Sequence, residues 1–137
     1  MKNPMLPCAS LMLCCLSFGC AKSVNDVNIS SSGQYSWVQT DPWLANIAQV
    51  QSVNKEFTPD GILRVQVVVK NTDHVANRIR WRYVWVDQNG MEVDSPLTTW
   101  ETIRLEGKQT KALNGAAPNT RVKDCRLELK RVDIGGT

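Results

Sequence analysis

The stretch Arg78-Ile79-Arg80-Trp81-Arg82-Tyr83-Val84-Trp85-Val86-Asp87, followed by Gln88-Asn89-Gly90, separates into two faces at the period of an extended strand. Ile79, Trp81, Tyr83 and Trp85 fall on one side; Arg78, Arg80 and Arg82 fall on the other, continued by Val84 and Val86. Side chains alternate across a strand, whereas a helix collects positions three and four apart, so only the extended reading gathers the three aromatics into one stripe. Each such ring brings about 150–250 Å² of contact area. The stripe is therefore expected to be the core-facing side of a central strand. Asn89-Gly90 then supplies the positive backbone angles of a tight turn, and Met91 to Asp94 is expected to return beside the strand.

Working outward, Ile62 to Lys70 alternates as strictly: Leu63, Val65, Val67 and Val69 on one face, Arg64, Gln66 and Lys70 on the other. Val122 to Val132 does the same, with Cys125, Leu127 and Leu129 in register. Weaker strands are expected at Ala45 to Val53, at Thr99 to Glu106 with Ile103 and Leu105 opposite Trp100, and at Gln109 to Leu113. Pro59-Asp60-Gly61 and Gly107-Lys108 read as turns, since proline presets one backbone angle and glycine accepts a positive one. No window shows a useful helical period. The expected fold is all-β: an antiparallel two-sheet sandwich of about seven strands occupying residues 37–137. Its core centres on Ile79, Trp81, Tyr83, Trp85, Val65, Val67, Leu127 and Leu129.

Residues 1–19 differ in kind. Lys2 gives a single positive charge, and Met5 to Phe18 is uncharged, rich in Leu, Met, Cys and Ala, and too short to span a bilayer as a helix. This is the pattern of a secretory signal. Its end, Leu16-Ser17-Phe18-Gly19-Cys20, resembles a bacterial lipobox, with Gly19 as the small residue before an acylated Cys20; Ser17 stands where that pattern has leucine. Residues 20–36 are mostly Ser, Asn, Lys, Asp and Gly and are expected to be a flexible tether. The resemblance to bacterial lipoproteins further implies, from Ala21 and Lys22 in place of the aspartate that retains many enterobacterial lipoproteins at the inner membrane, a place at the periplasmic leaflet of the outer membrane.

Of five cysteines, only Cys125 falls in the domain, so no disulfide framework is available and the core must stabilise the fold. Cys125 is read as a buried, inert thiol. Net charge is +3, with both signs interspersed, which gives no footprint for nucleic acid. The arginine face is the local exception. Its residues either pair with acids across neighbouring strands or meet an anionic partner, and Arg80 and Arg82, with Trp100, are the candidate binding residues.

No catalytic constellation is legible. His74 is the only histidine and lies in a loop, which leaves serine-histidine and cysteine-histidine arrangements without support, and no ligand spacing suggests a metal. No cofactor, metal or enzymatic activity is expected.

The succession Val69-Lys70-Asn71-Thr72, Ile79 to Trp85 with Asp87 and Gly90, Trp100, Ala117-Pro118-Asn119 and Arg126-Leu127-Glu128-Leu129 resembles the YcfL family of proteobacterial lipoproteins over roughly residues 47 to 130. The resemblance implies a signal peptide, a lipid anchor and an immunoglobulin-like sandwich, with no catalytic residue to carry over. It also implies an association with cell-wall synthesis through neighbouring genes. Residues and resemblance together lead to a membrane-anchored accessory or binding module for another envelope protein. The alternative is a glycan or peptidoglycan binder using exposed tryptophans, with Trp37, Trp43 and Trp100 as candidates.

Overall fold

The computed structural model describes residues 24–29, 35–38 and 41–132. They form eight strands and one short helix: β1 (Asn25–Ile29), β2 (Tyr35–Val38), α1 (Pro42–Ile47), β3 (Gln49–Phe57), β4 (Leu63–Lys70), β5 (Asn77–Asp87), β6 (Glu101–Leu105), β7 (Thr110–Ala116) and β8 (Val122–Arg131). One antiparallel sheet has the order β2-β1-β8-β5-β6 and the other β3-β4-β7. The expected two-sheet, immunoglobulin-like sandwich is the fold, and β5 is a central strand of the larger sheet.

The aromatic stripe faces inward as its alternation requires. Ile79, Trp81, Tyr83 and Trp85 are buried against Leu63, Val65, Val67 and Val69 of β4, and Leu127 and Leu129 of β8 lie beside them. Trp81 meets Tyr83 edge to face at 5.6 Å between ring centres, and Tyr83 stacks on Trp85 at 5.3 Å. Tyr83 also crosses the sandwich: its hydroxyl donates to the Leu113 carbonyl of β7 at 2.7 Å. Gly115, two residues on, makes room for that ring, since a Cβ there would stand 2.4 Å from Tyr83 Cδ2. Cys125 is buried among the same side chains, and burial pushes its thiol pKa up to about 12. It is the protonated, unreactive thiol that its register implied.

Three expectations need correction. The segment assigned to the tether contributes β1, which pairs with β8 from Asn25 opposite Leu129 to Ile29 opposite Cys125, and β2, which pairs with β1. The strand was obscured because only Val27 and Ile29 are apolar on its buried face, among polar neighbours that dominate the composition. The structured body therefore begins by Asn25 rather than at residue 37. Second, Ala45 to Val53 is not one strand. Asp41 caps α1 by accepting from the Trp43 and Leu44 amides, and Pro42 occupies the first helical position, where its missing N–H costs nothing. The helix closes one end of the sandwich with Leu44 and Ile47, and β3 follows it through Phe57. Third, β7 runs on to Ala116 instead of ending at Leu113. Met91 to Asp94 does return beside β5, through the antiparallel bridge of Val86 to Glu92, the Asp87 amide donating to the Met91 carbonyl and the Val93 amide donating to the Trp85 carbonyl, each at 2.8 Å.

Two buried polar clasps organise the α1 end. The Asn25 side chain donates to the Asp41 carbonyl at 2.9 Å and accepts from its amide at 2.8 Å, while the Asp41 carboxylate pairs with Arg131 at the end of β8. Asn71, fully buried, donates to the carbonyls of Val75, Leu105 and Glu106 and accepts from the Asp73 amide, joining the β4–β5 loop to the β6–β7 turn. These groups have no access to water, so each lost partner leaves an unsatisfied dipole worth about 1–3 kcal/mol.

Arg131, then the helix amides, hold the Asp41 carboxyl below its ordinary pKa. Its stabilisation is thus fully present above the normal carboxylate range and is lost as pH falls through the depressed value. Asp41→Ala is expected to destabilise the fold by about 2 kcal/mol at neutral pH, through loss of the cap, of the Asn25-facing geometry it holds and of the pair with Arg131. The deficit relative to the native chain should shrink below the carboxylate range; urea midpoints measured across pH would check both. Gly115→Ala is expected to cost about 1–3 kcal/mol by forcing the Tyr83 ring to move. An unchanged urea midpoint would contradict that packing.

Candidate functional site

Because β5 turns its aromatics inward, its arginines lie on the outer face of the larger sheet, and pairing register decides what each one meets. Arg82 lies opposite Glu128 of β8, Arg80 lies opposite Lys130 of β8 on one side and Thr102 of β6 on the other, and Arg78 lies opposite Arg104 of β6. The next strand extends one of these rows, with Asp26 of β1 opposite Glu128.

The Arg82 row is internally neutralised. Arg82 Nε donates to Glu128 Oε2 at 2.6 Å, and Arg126 reaches Glu128 at 3.1 Å and Glu92 at 3.0 Å. Glu128 is itself buried, so its two guanidinium partners hold a carboxylate that would otherwise be costly there. Arg82 is thereby a structural ion-pair residue, the commoner fate of an arginine on a sheet face.

The Arg80 row is different. Among the described residues neither Arg80 nor Lys130 has a carboxylate within ion-pair distance, and Arg80 Nε is buried with no hydrogen-bond acceptor. Two like charges directly opposite each other destabilise a sheet, and an unpartnered buried donor adds to the cost. Trp100 joins the cluster, with Lys130 Nζ 4.2 Å and the Arg82 guanidinium 4.6 Å from its ring centre. The structure therefore brings Arg80, Arg82 and Trp100 together, and adds Lys130, which alternation along β8 alone placed on the outer face without naming a neighbour. Arg82 positions the indole, while Arg80 and Lys130 present charge.

Both candidate tryptophans whose side chains are described lie against cations. Trp100 already contacts two cations, and the Arg131 guanidinium lies 4.2 Å from the centre of the Trp43 ring. The side chain of Trp37, residues 1–19 and Cys20 lie outside the described residues. A separate groove of about 600 Å³ runs over the smaller sheet. There Asn54 donates to Gln66 at 3.1 Å and Gln66 donates to Asn114 at 3.0 Å, an exposed row of amides crossing all three strands. His74 sits in the exposed loop expected for it, and the described residues hold no cluster of three or more metal-binding side chains.

Asp26 carries the electrostatic strain of the neutralised row. Burial, and then the facing Glu128, raise its pKa above the usual carboxylate value, against smaller opposing effects of Arg126 and Arg82; one of its oxygens is buried without a partner. A carboxyl whose pKa is raised by folding destabilises the fold above that raised value, and the penalty fades as pH falls through it. Asp26→Asn is expected to raise the thermal midpoint by a few degrees at pH 7, with the gain disappearing toward acid pH. A gain that persists at low pH, or a lowered midpoint at pH 7, would contradict this.

The fold is shared by solved proteins. The crystal structure of Campylobacter jejuni cj0090 superposes with a TM-score of 0.56 at 25% identity, covering 67% of this chain and 90% of that one. A family member from Shewanella sp. pv-4, solved at 1.81 Å, gives 0.57 at 21% identity, covering 80% and 92% respectively. No curated protein matches the sequence. The model of the family described as "Protein of unknown function (DUF1425)" matches residues 36–131, and the chain belongs to that family.

Proposed function

We propose that this protein is a non-catalytic, lipid-anchored binding module of the cell envelope, which captures an acidic segment of another envelope protein on the outer face of its larger sheet. The observation that carries this reading is the Arg80–Lys130 pair, two facing cations without a carboxylate among the described residues, beside the cation-contacted Trp100 ring. An incoming carboxylate would relieve their repulsion. Arginine favours planar, two-pronged carboxylate recognition, and arginine and tryptophan are the side chains most enriched at interface hot spots. The signal-like segment and Cys20 support anchoring at the periplasmic leaflet of the outer membrane, and the YcfL-like sequence pattern supports a lipoprotein of this kind with a role near cell-wall synthesis.

A second reading, glycan or peptidoglycan binding, draws on the Asn54–Gln66–Asn114 amide row rather than on tryptophan stacking, since amides offer paired donors and acceptors to sugar hydroxyls.

A photo-crosslinking residue at Thr102, exposed beside Arg80, separates the two in living cells. The expected outcome is one discrete protein adduct that Arg80→Glu abolishes and Arg64→Glu, on the opposite sheet, leaves intact. An adduct insensitive to Arg80→Glu would refute the basic-face reading. Retention on purified peptidoglycan that is lost in Gln66→Ala would favour the second.

A further inference from the structure

We infer that the α1 end of the sandwich sits on the membrane surface, with Trp43 in the lipid headgroup region. The inference rests on the lipid-anchor reading of Cys20 and goes beyond it by assigning which end of the domain meets the bilayer.

The geometry follows from where the chain enters the fold. β1 begins at Asn25, five residues after Cys20, and a fully extended chain covers at most about 3.6 Å per residue, so an acylated Cys20 holds Asn25 within about 18 Å of the lipid. A tether of residues 20–36 would have left the orientation open; one ending before Asn25 restricts it. Asn25 lies at the α1 end, because its side chain clasps the Asp41 backbone and its strand partner is Leu129, two residues before the Arg131 that pairs with Asp41. The opposite end is far away: β5 alone, at about 3.3 Å per residue over its 11 residues, runs about 36 Å along the sandwich.

The side chains presented at the near end suit a headgroup layer. Trp43 is 40% exposed on α1. Its ring is backed by the Arg131 guanidinium. Val75, 60% exposed, projects from the β4–β5 loop at the same end, where the Thr72 amide donates to the Asn46 carbonyl of α1. An indole with one apolar body and one polar edge, beside a cation on an aliphatic stem, partitions to the boundary between lipid and water.

The test uses the full chain, processed in cells and reconstituted into phosphatidylethanolamine and phosphatidylglycerol vesicles containing lipid brominated near the headgroup. Mass spectrometry of the mature chain first establishes whether Cys20 carries acyl groups. With acylation present, bromolipid is expected to quench a component of the tryptophan emission that is lost in Trp43→Phe and retained in Trp100→Phe. Equal fractional quenching in the native and Trp43→Phe proteins overturns the seating and leaves the lipid anchor standing; an unacylated mature chain overturns both.

Discussion

The bond from the Tyr83 hydroxyl to the Leu113 carbonyl, with the tyrosine ring lying over Gly115, fixes how the two sheets face each other. It connects a central strand of one sheet to an edge strand of the other through the packed aromatic interior, where a misplaced hydroxyl would be left unpaired. Trp81 and Trp85 pack on either side of that ring, so the three aromatics act as one piece. A slip of one residue along β5 would turn all of them to solvent and bring the arginines into the core, which makes the register of this strand very strongly determined.

That determination reaches the outer surface. In the register that packs the inner faces of β5 and β8 together, Arg80 lies opposite Lys130 and Arg82 opposite Glu128. One row resolves its charges with a shared buried carboxylate and the row beside it does not. Binding surfaces commonly accept such a local cost, because interactions left unsatisfied in the free protein become available to a partner. The same logic governs the far smaller first strand. Asn25 spends its side chain on the backbone of Asp41, and in doing so ties the point where the chain enters to the helix that closes the sandwich.

The long, strictly alternating strands were legible from their residues alone, because Leu63 to Val69, Ile79 to Trp85 and Cys125 to Leu129 each repeat the same two-residue signal several times. Elements with only one or two repeats were not. β1 shows its pattern through Val27 and Ile29 only, and its stability comes from pairing with β8 and from a side-chain clasp that no local window contains. α1 is six residues long, too short for helical periodicity, although Asp41-Pro42 is a recognisable start signal. The candidate site was half legible. Arg80, Arg82 and Trp100 could be assigned to one face by alternation and by Trp100 lying opposite Ile103 and Leu105. Their different roles depend on which residue of β8 faces each arginine, and a single chain's sequence does not state strand register.

The central functional claim is that the sheet carries an uncompensated cation at Arg80 for use in binding. Chemical denaturation of Arg80→Met tests it most directly, since methionine keeps much of the aliphatic stem while removing the charge and the buried, unpartnered Nε. A higher urea midpoint than the native protein is the predicted result, because repulsion with Lys130 and a buried unsatisfied donor are both relieved. A lower midpoint would show that Arg80 already holds the fold together, and would contradict its assignment to a partner.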